Sequence, residues 1–328
     1  MILCFIFKYM KKILIVRFSS IGDVVLTSPV VRCIKQQKNI ELHYLVKRQY
    51  SVVLISNPYI DKLITFKNSL NSVIKKLKNE NYDIIIDLQN SIRSWWLKLN
   101  LGRPSYTFKK GNIKKYIYIY MNLNYLNDHV VDRYFNAVKS LGVYNDNGGL
   151  DYFLNKNTVI DFDVSQHYIA WSIGGSFEQK KLCSTQIINV CNVVSKTIVL
   201  LGGVGESNMG ERIVSETTNK RVYNFCGQLS LDQSAYLLKQ SSFVLTNDTG
   251  LMHIASALKK PIISFWGCTK PSLGFAPYLN HHQSIKILTN KSSPCSKHGN
   301  RCKIQNDGCI KKLDDKVIVR AVTNLLKS

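Results

Sequence analysis

The sequence predicts an α/β protein built from two parallel-sheet domains. Three observations carry that reading. Short apolar runs alternate with helix-length segments along the chain. The runs are near-continuously apolar, as in parallel strands covered by helices on both faces. The alternation is interrupted once, by YNDNGGLDYFLNKNTVIDFD at 144–163, and then restarts. That stretch has turn chemistry and little helical periodicity, so it reads as a linker. A chain of 328 residues fits one large or two medium domains. The expected division is 10–160 and 161–328.

In the first half, ILIVRF (13–18), LHYLV (42–46), KLITF (62–66) and YDIIIDL (82–88) read as strands. Segments such as 70–79 are long enough for crossover helices, and a βαβ series implies a parallel sheet. In the second half the strands are YIAWS (168–172), TIVLLGG (197–203), FVLTND (243–248) and PIISFWG (261–267). Helices are expected over 184–195, 206–218, 231–240 and 250–258. The last segment, 314–327, has Val317, Ile318, Ala321, Val322 and Leu325 at helical spacing. Open α/β sheets bind ligands beyond the carboxyl ends of their strands, so those ends are expected to face a ligand cleft between the domains.

The 45% apolar content is ordinary for a globular protein. No run approaches the ~18 apolar residues of a membrane-spanning helix. The first nine residues, MILCFIFKY, lack a leading positive region and a small-residue cleavage site, so no signal peptide is expected. Met10 is a natural alternative start. These features point to the cytoplasm.

The net charge of +23 invites a nucleic-acid or membrane partner. Only 10 of the 44 basic residues are Arg, the residue preferred for phosphate forks, and the excess is spread over both halves. Lys, Ile and Asn are abundant together, which reads equally well as the drift of an AT-rich genome. The stretch 88–127 resists that reading. It has no Asp or Glu, but carries Arg93, Lys98, Arg103, Lys109, Lys110, Lys114 and Lys115, interleaved with Trp95, Trp96, Tyr106, Phe108, Tyr116, Tyr118 and Tyr120. Basic residues among aromatics suit an anionic lipid surface or single-stranded nucleic acid.

Nine cysteines are scattered along the chain. Cys295, Cys302 and Cys309 lie close together in CSKHGNRCKIQNDGC, and with His298 they could make a Cys3His metal site. The spacing fits no standard zinc pattern. Reduced thiols or one local disulfide are expected instead.

Four strand ends carry chemistry. In VLTNDTGLMHIASALKKPIISFWG (244–267) a strand runs into Asn247-Asp248-Thr249-Gly250, and a helix begins at once. Backbone N–H groups of a first turn, with the helix dipole, attract an anion. Gly250 lets a phosphate approach the backbone, and His253 lies one turn beyond Thr249. Asp248 or Thr249 could equally be a plain N-cap. In LLGGVGESNMGERI (200–213), Gly202-Gly203 end a strand and Glu206 opens a helix. Glu206 could accept two ribose hydroxyls or simply complement the helix dipole. IGGSFEQKKLC (173–183) offers Lys180 or Lys181 to a diphosphate. In RFSSIGDVVLTSPVVR (17–32), Asp23 is either a helix-start residue or a general base. A carboxylate opposed to a diphosphate site suits sugar transfer from a nucleotide, where a base takes the acceptor's proton.

Taken together, with the four motifs in the family's order along the chain, these segments resemble the bacterial family 9 glycosyltransferases, the lipopolysaccharide heptosyltransferases. RFSSIGDVVLTSPVVR and NDTGLMHIASALKKPIISFWG are the most specific marks, and the resemblance runs from about Lys11 to the C-terminus. It implies the GT-B fold, two Rossmann-like domains with parallel sheets facing a central cleft. It also implies an ADP-heptose donor, a Kdo–lipid A or inner-core acceptor, inversion at the anomeric centre, and no metal or other cofactor. Asp23 matches the family's proposed base, Lys180 the diphosphate-binding lysine and Glu206 the ribose-binding acid. Asp248, Thr249, Gly250, Leu251 and His253 match the donor-binding helix start. The family's Lys-basic-aromatic/Leu-Pro pattern reads Lys180-Lys181-Leu182-Cys183 here, so Cys183 replaces the usual Pro and leaves the choice of lysine open.

The reading is therefore a cytoplasmic, monomeric transferase of lipopolysaccharide core synthesis. It is expected to touch the inner face of the cytoplasmic membrane through Lys109, Lys110, Lys114 and Lys115, and not to bind nucleic acid. The alternatives are a same-family enzyme using another nucleotide sugar, and a non-catalytic nucleic-acid-binding protein.

Overall fold

The computed structural model describes residues 12–165, 167–278, 285–289 and 293–327. Met10 and the nine residues before it lie outside the described residues. The first half comprises β1 (Lys12–Val16), α1 (Ile21–Val25), α2 (Ser28–Gln37), β2 (Glu41–Lys47), β3 (Lys62–Phe66), α3 (Asn71–Asn79), β4 (Ile84–Asp87), α4 (Ile92–Leu101), β5 (Ser105–Thr107), α5 (Asn112–Met121) and α6 (Val130–Val138). The second half comprises β6 (Tyr168–Ser172), α7 (Ser184–Val193), β7 (Thr197–Leu201), α8 (Ser207–Glu216), β8 (Val222–Asn224), α9 (Leu231–Gln240), β9 (Phe243–Asn247), α10 (Gly250–Ala257), β10 (Ile262–Trp266), β11 (Ile285–Thr289) and α11 (Asp315–Lys327).

Two sheets result. One has the order β3-β2-β1-β4-β5, the other β11-β10-β9-β6-β7-β8, and every pairing is parallel. The central strands are buried on both faces: Ile13 to Val16 and Tyr168 to Ser172 are at most 1% exposed. That double burial is why these runs are continuously apolar. In each sheet the strand order reverses once, between β1 and β4 and between β6 and β9. Those reversals are where open sheets leave room for a ligand.

Three edge strands escape the sequence reading. β5 and β8 have only three residues each, too short for a periodic signal. In β11, which reads IKILT, only one of five residues is buried, so its apolar residues do not form a core-facing run.

The chain divides into two compact units. The first runs to Gly111 and resumes over Asp128–Phe153; the second holds Asn112–Asn127 and the chain from Leu154. Residues 112–127 join the second unit because Tyr118 and Leu126 pack with Leu273. Tyr118 Oη lies 2.9 Å from Ser272 Oγ, and Lys297 Nζ donates to Asn112 Oδ1 at 2.7 Å.

The start of the polar 144–163 stretch is anchored within the first unit by Arg32. Its guanidinium donates to both oxygens of Asp146, at 2.7 and 2.8 Å, and to Gly149 O at 2.9 Å. It also pairs with Asp151. The hydrogen bonds from Arg32 hold Asp146 down to about 2, from an ordinary 3.8. A carboxylate depressed in the folded state stabilises above its unfolded pKa and loses that contribution as pH falls through the folded one. Arg32→Gln is therefore expected to cost about 3 kcal/mol at neutral pH by leaving the two carboxylates without their cation. The cost should shrink as pH falls from 3.8 towards 2. Thermal melts of parent and variant across that range check the sign.

Candidate active site

The first unit places Asp23 just beyond the carboxyl end of β1, in the first turn of α1. Among the described residues, a single oxygen, Oδ2, takes all of its hydrogen bonds. It accepts from Arg17 Nη2 at 2.7 Å, from the Ser20 N–H at 3.2 Å and from Ser20 Oγ at 3.1 Å. Oδ1 takes none of them, and the side chain is 26% exposed. The helix-start role is thus physically present on one oxygen, and the other remains open to a hydroxyl. Arg17 is buried. Its Nε donates to Ser19 O at 2.8 Å, and Nη1 donates to Leu88 O, just past β4, at 2.7 Å. Burial by itself would raise the Asp23 pKa, but the Arg17 charge and the Ser20 hydrogen bonds outweigh it and hold the carboxyl below 3.8. Asp23 is therefore ionised at neutral pH, as an acceptor of a proton must be.

In the second unit, four strand ends meet around the β6/β9 reversal. Asp248 immediately follows β9. Its Oδ2 accepts from Lys180 Nζ at 2.6 Å and from Thr269 Oγ1, beyond β10, at 2.7 Å. Glu206 follows β7. Its Oε2 accepts the Gly203 N–H at 3.0 Å, and its Oε1 lies 3.2 Å from Lys181 Nζ. Lys181 also pairs with Glu178. Burial would lower the Lys181 pKa, but Glu178 and Glu206 outweigh it and raise it. Gly202 is required here: a Cβ would stand 2.9 Å from Glu206 Cβ and 3.0 Å from Cys226 Sγ. Both lysines thus lie in the site, each bound to a different acid.

Thr249 is the N-cap of α10, and its hydroxyl accepts the Met252 N–H at 3.4 Å. The plain-cap alternative therefore applies to Thr249. Asp248 instead ties the end of β9 to Lys180 and Thr269. Asp248, Thr249, Gly250 and Leu251 are half-buried, and His253 is buried inside α10. Asn247 cross-links the strand ends, with Nδ2 donating to Ile173 O at 2.9 Å and Gly174 O at 3.0 Å.

Sequence reasoning missed Arg17, Asn247 and Thr269 as site residues. The signal was partly present: Arg17 and Asn247 lie at the ends of strands already identified, whereas Thr269 lies two residues past one.

One expectation is corrected. Lys115 is not a surface charge: it is 4% exposed, with Nζ 4.8 Å from the centre of the Phe275 ring, because its face of α5 packs into the second unit. Lys109 and Lys114 are exposed and Lys110 is half-buried. The thiols Cys295, Cys302 and Cys309 gather with Cys268, not with His298, which is exposed. Cys268 was missed because it lies 27 residues upstream of Cys295 in sequence and is brought near only by β10.

Solved structures share this architecture. The glycosyl transferase family 9 protein from Veillonella parvula matches with a TM-score of 0.79 at 20% identity, covering 97% of this chain and 98% of that one. Escherichia coli heptosyltransferase WaaC, solved with ADP, matches with a TM-score of 0.71 at 19% identity, over 96% and 99%. The fold is that of the GT-B glycosyltransferases. Residues 70–305 match the family model described as glycosyltransferase family 9 (heptosyltransferase), and the chain belongs to that family. It is a glycosyltransferase, which answers the non-catalytic alternative. Lipopolysaccharide heptosyltransferase 1 of Campylobacter coli is 24% identical over 345 residues, 96% of this chain and 98% of that protein. Lipopolysaccharide core heptosyltransferase OpsX of Haemophilus influenzae is 25% identical over 304 residues, 84% of each.

Proposed function

We propose that this enzyme transfers heptose from ADP-heptose to the inner core of lipopolysaccharide, with inversion at the anomeric carbon. The observation that supports it most is the gathering of Lys180, Lys181, Glu206 and Asp248 at the carboxyl ends of β6, β7 and β9. The diphosphate takes the N–H groups at the start of α10 and the charge of Lys180. Glu206 accepts the ribose hydroxyls. Asp23 Oδ1 takes the acceptor hydroxyl's proton as its oxygen attacks C1, the C1–O bond to the diphosphate breaks, and ADP leaves. The Campylobacter coli and Haemophilus influenzae relatives are named as lipopolysaccharide heptosyltransferases, and the heptosyltransferase WaaC was solved with ADP, which supports this reading.

A binding and turnover screen of purified protein against ADP-, UDP-, GDP- and dTDP-sugars tests the donor. The expected result is acceptor-dependent release of ADP from ADP-heptose with Kdo–lipid A or heptosylated core. Turnover of a different nucleotide sugar, with ADP-heptose inert, would overturn the assignment.

Asp248 has a distinct expected role. Lys180 and Thr269 both engage its Oδ2, which among the described residues leaves Oδ1 to a sugar hydroxyl. Asp248→Asn removes the charge that holds Lys180, so ADP should bind as well or better while ADP-heptose loses its advantage over ADP. Calorimetric titration of both ligands reads the difference.

The enzyme also works at an anionic lipid surface. On α5 and just after it, Ile113, Tyr116, Tyr120, Met121, Leu123 and Tyr125 are 46–77% exposed. Lys109 and Lys114 are exposed nearby in sequence. Exposed Tyr among apolar and basic residues suits the headgroup layer. Each Lys near such a surface is worth about 1 kcal/mol, and salt screens the attraction. Replacing Lys109, Lys110 and Lys114 by Gln should weaken binding to anionic vesicles and raise KM for the lipid acceptor, leaving ADP affinity intact. Parent-like vesicle binding by this variant would assign the stretch to ordinary solvated surface.

A further inference from the structure

Four cysteines converge on one point in the second unit. Cys268 follows β10, and Cys295, Cys302 and Cys309 come from the segment after β11. Their sulfur atoms all lie within 4.8 Å of one another. Cys268 Sγ is 3.8 Å from Cys309 Sγ, and Cys295 Sγ is 3.9 Å from Cys302 Sγ. A disulfide would require about 2.05 Å. Four thiolates arranged tetrahedrally about a metal at about 2.3 Å stand roughly 3.8 Å apart. The Cys268–Cys309 and Cys295–Cys302 separations match that tetrahedral edge, and no pair stands farther apart than 4.8 Å.

The surrounding backbone closes the site. The N–H groups of Cys295 and Ser296 donate to Cys268 O, at 2.8 and 3.3 Å, which ties the two stretches together. The Ile304 N–H donates to Cys302 Sγ at 3.4 Å, a contact that favours thiolate over thiol. Cys268, Cys295 and Cys309 are buried and Cys302 is partly so, leaving one accessible side for an ion.

We propose that Cys268, Cys295, Cys302 and Cys309 bind one metal ion of tetrahedral, thiolate-preferring chemistry, zinc or ferrous iron, in a structural site. Four S–H bonds give up their protons as four metal–sulfur bonds form, so binding releases four protons and leaves the site with a net charge of two minus. No oxidation step is involved. All four positions are filled by protein, as in structural sites, and none is left for a substrate.

The site adjoins the donor-binding residues, and here the inference rests on the functional reading above. Thr269, which donates to Asp248, is the next residue after the ligand Cys268. The Cys-bearing segment also packs on Lys180: a Cβ at Gly299, which has φ +81°, would stand 2.6 Å from Lys180 Cγ. Gln179 Nε2 donates to Asn306 O at 3.1 Å. The ion would therefore hold both partners of the Lys180–Asp248 pair.

The test is elemental analysis of the full chain, purified without chelator from cells supplied with zinc and iron. One metal ion per chain is expected, and the element found distinguishes the two metals. Replacement by Co2+ should give intense sulfur-to-cobalt absorption. Cys302→Ser and Cys268→Ser should lose the metal, whereas His298→Ala and Cys191→Ser should keep it. If a ligand variant fails to fold, the cobalt spectrum of the wild-type chain still decides. A wild-type chain that holds no metal and gives no cobalt–thiolate band overturns the proposal, as does metal content that survives Cys302→Ser or depends on His298. Removing the metal from the wild-type chain should weaken ADP binding. Unchanged ADP affinity in a chain proven to have held metal would overturn the coupling to the donor site and leave the ion assigned.

Discussion

Asp23→Asn is expected to lower turnover by about 10²–10⁴-fold, the usual worth of a general base, with ADP affinity unchanged. The substitution keeps the shape of the side chain and can keep its contacts to Ser20. What it removes is the proton-accepting oxygen. Near-parent turnover in this variant would return Asp23 to the role of a helix-start residue, which its Oδ2 already fills. The pairing with Arg17 adds a second expectation. Because Asp23 is held below 3.8, the acid limb of the kcat profile should lie below that value. Weakening the Arg17 contact should move the limb upward. The same pair contributes stability above the unfolded pKa of Asp23 and loses it as pH falls through the folded one. Arg17→Met should therefore show both a raised acid limb and a chain less stable at neutral pH. An unmoved limb would separate Asp23 from the proton transfer.

Lys180→Ala is expected to weaken ADP and ADP-heptose alike. A charge-assisted contact of about 1.5–3 kcal/mol corresponds to roughly ten- to a hundred-fold in affinity. The loss should reach the upper end of that range, because Asp248 would be left beside the diphosphate with only Thr269 as partner. Lys181→Ala should have the smaller effect on ADP. Lys181 is engaged by Glu206 and Glu178, and its removal perturbs the ribose end of the site. A larger loss in Lys181→Ala would move the diphosphate contact by one residue, which is the ambiguity that Cys183 introduces at the usual proline position. Titrations of ADP, ADP-heptose and adenosine against both variants separate the two contacts, since adenosine lacks the diphosphate.

The sequence determined the α/β class and nearly all the central strands, because a strand buried on both faces has no choice but to be apolar throughout. It also determined where chemistry could sit. Polar residues at the end of an apolar strand cannot enter the core, so RFSSIGD, LLGGVGE and LTNDTG stood out as strand ends in the chain itself. Edge strands β5, β8 and β11 did not, since three-residue or half-exposed strands carry little pattern.

Only the tertiary structure decided which of these ends meet. The parallel order around β6 and β9 brings Lys180 to Asp248, 68 residues away, and Lys181 to Glu206. No local signal encodes a pairing at that separation. The same holds for Asp23, whose ionisation depends on Arg17 being buried against Leu88 O. It holds for Lys115, which reads as a surface charge until α5 is packed. It holds most clearly for the thiols. In the sequence, three cysteines in one loop offered only His298 as a nearby fourth member, and the spacing favoured plain thiols or a local disulfide. Sheet topology supplied Cys268 instead, at the end of β10, since a parallel sheet gathers strand ends that the chain keeps far apart.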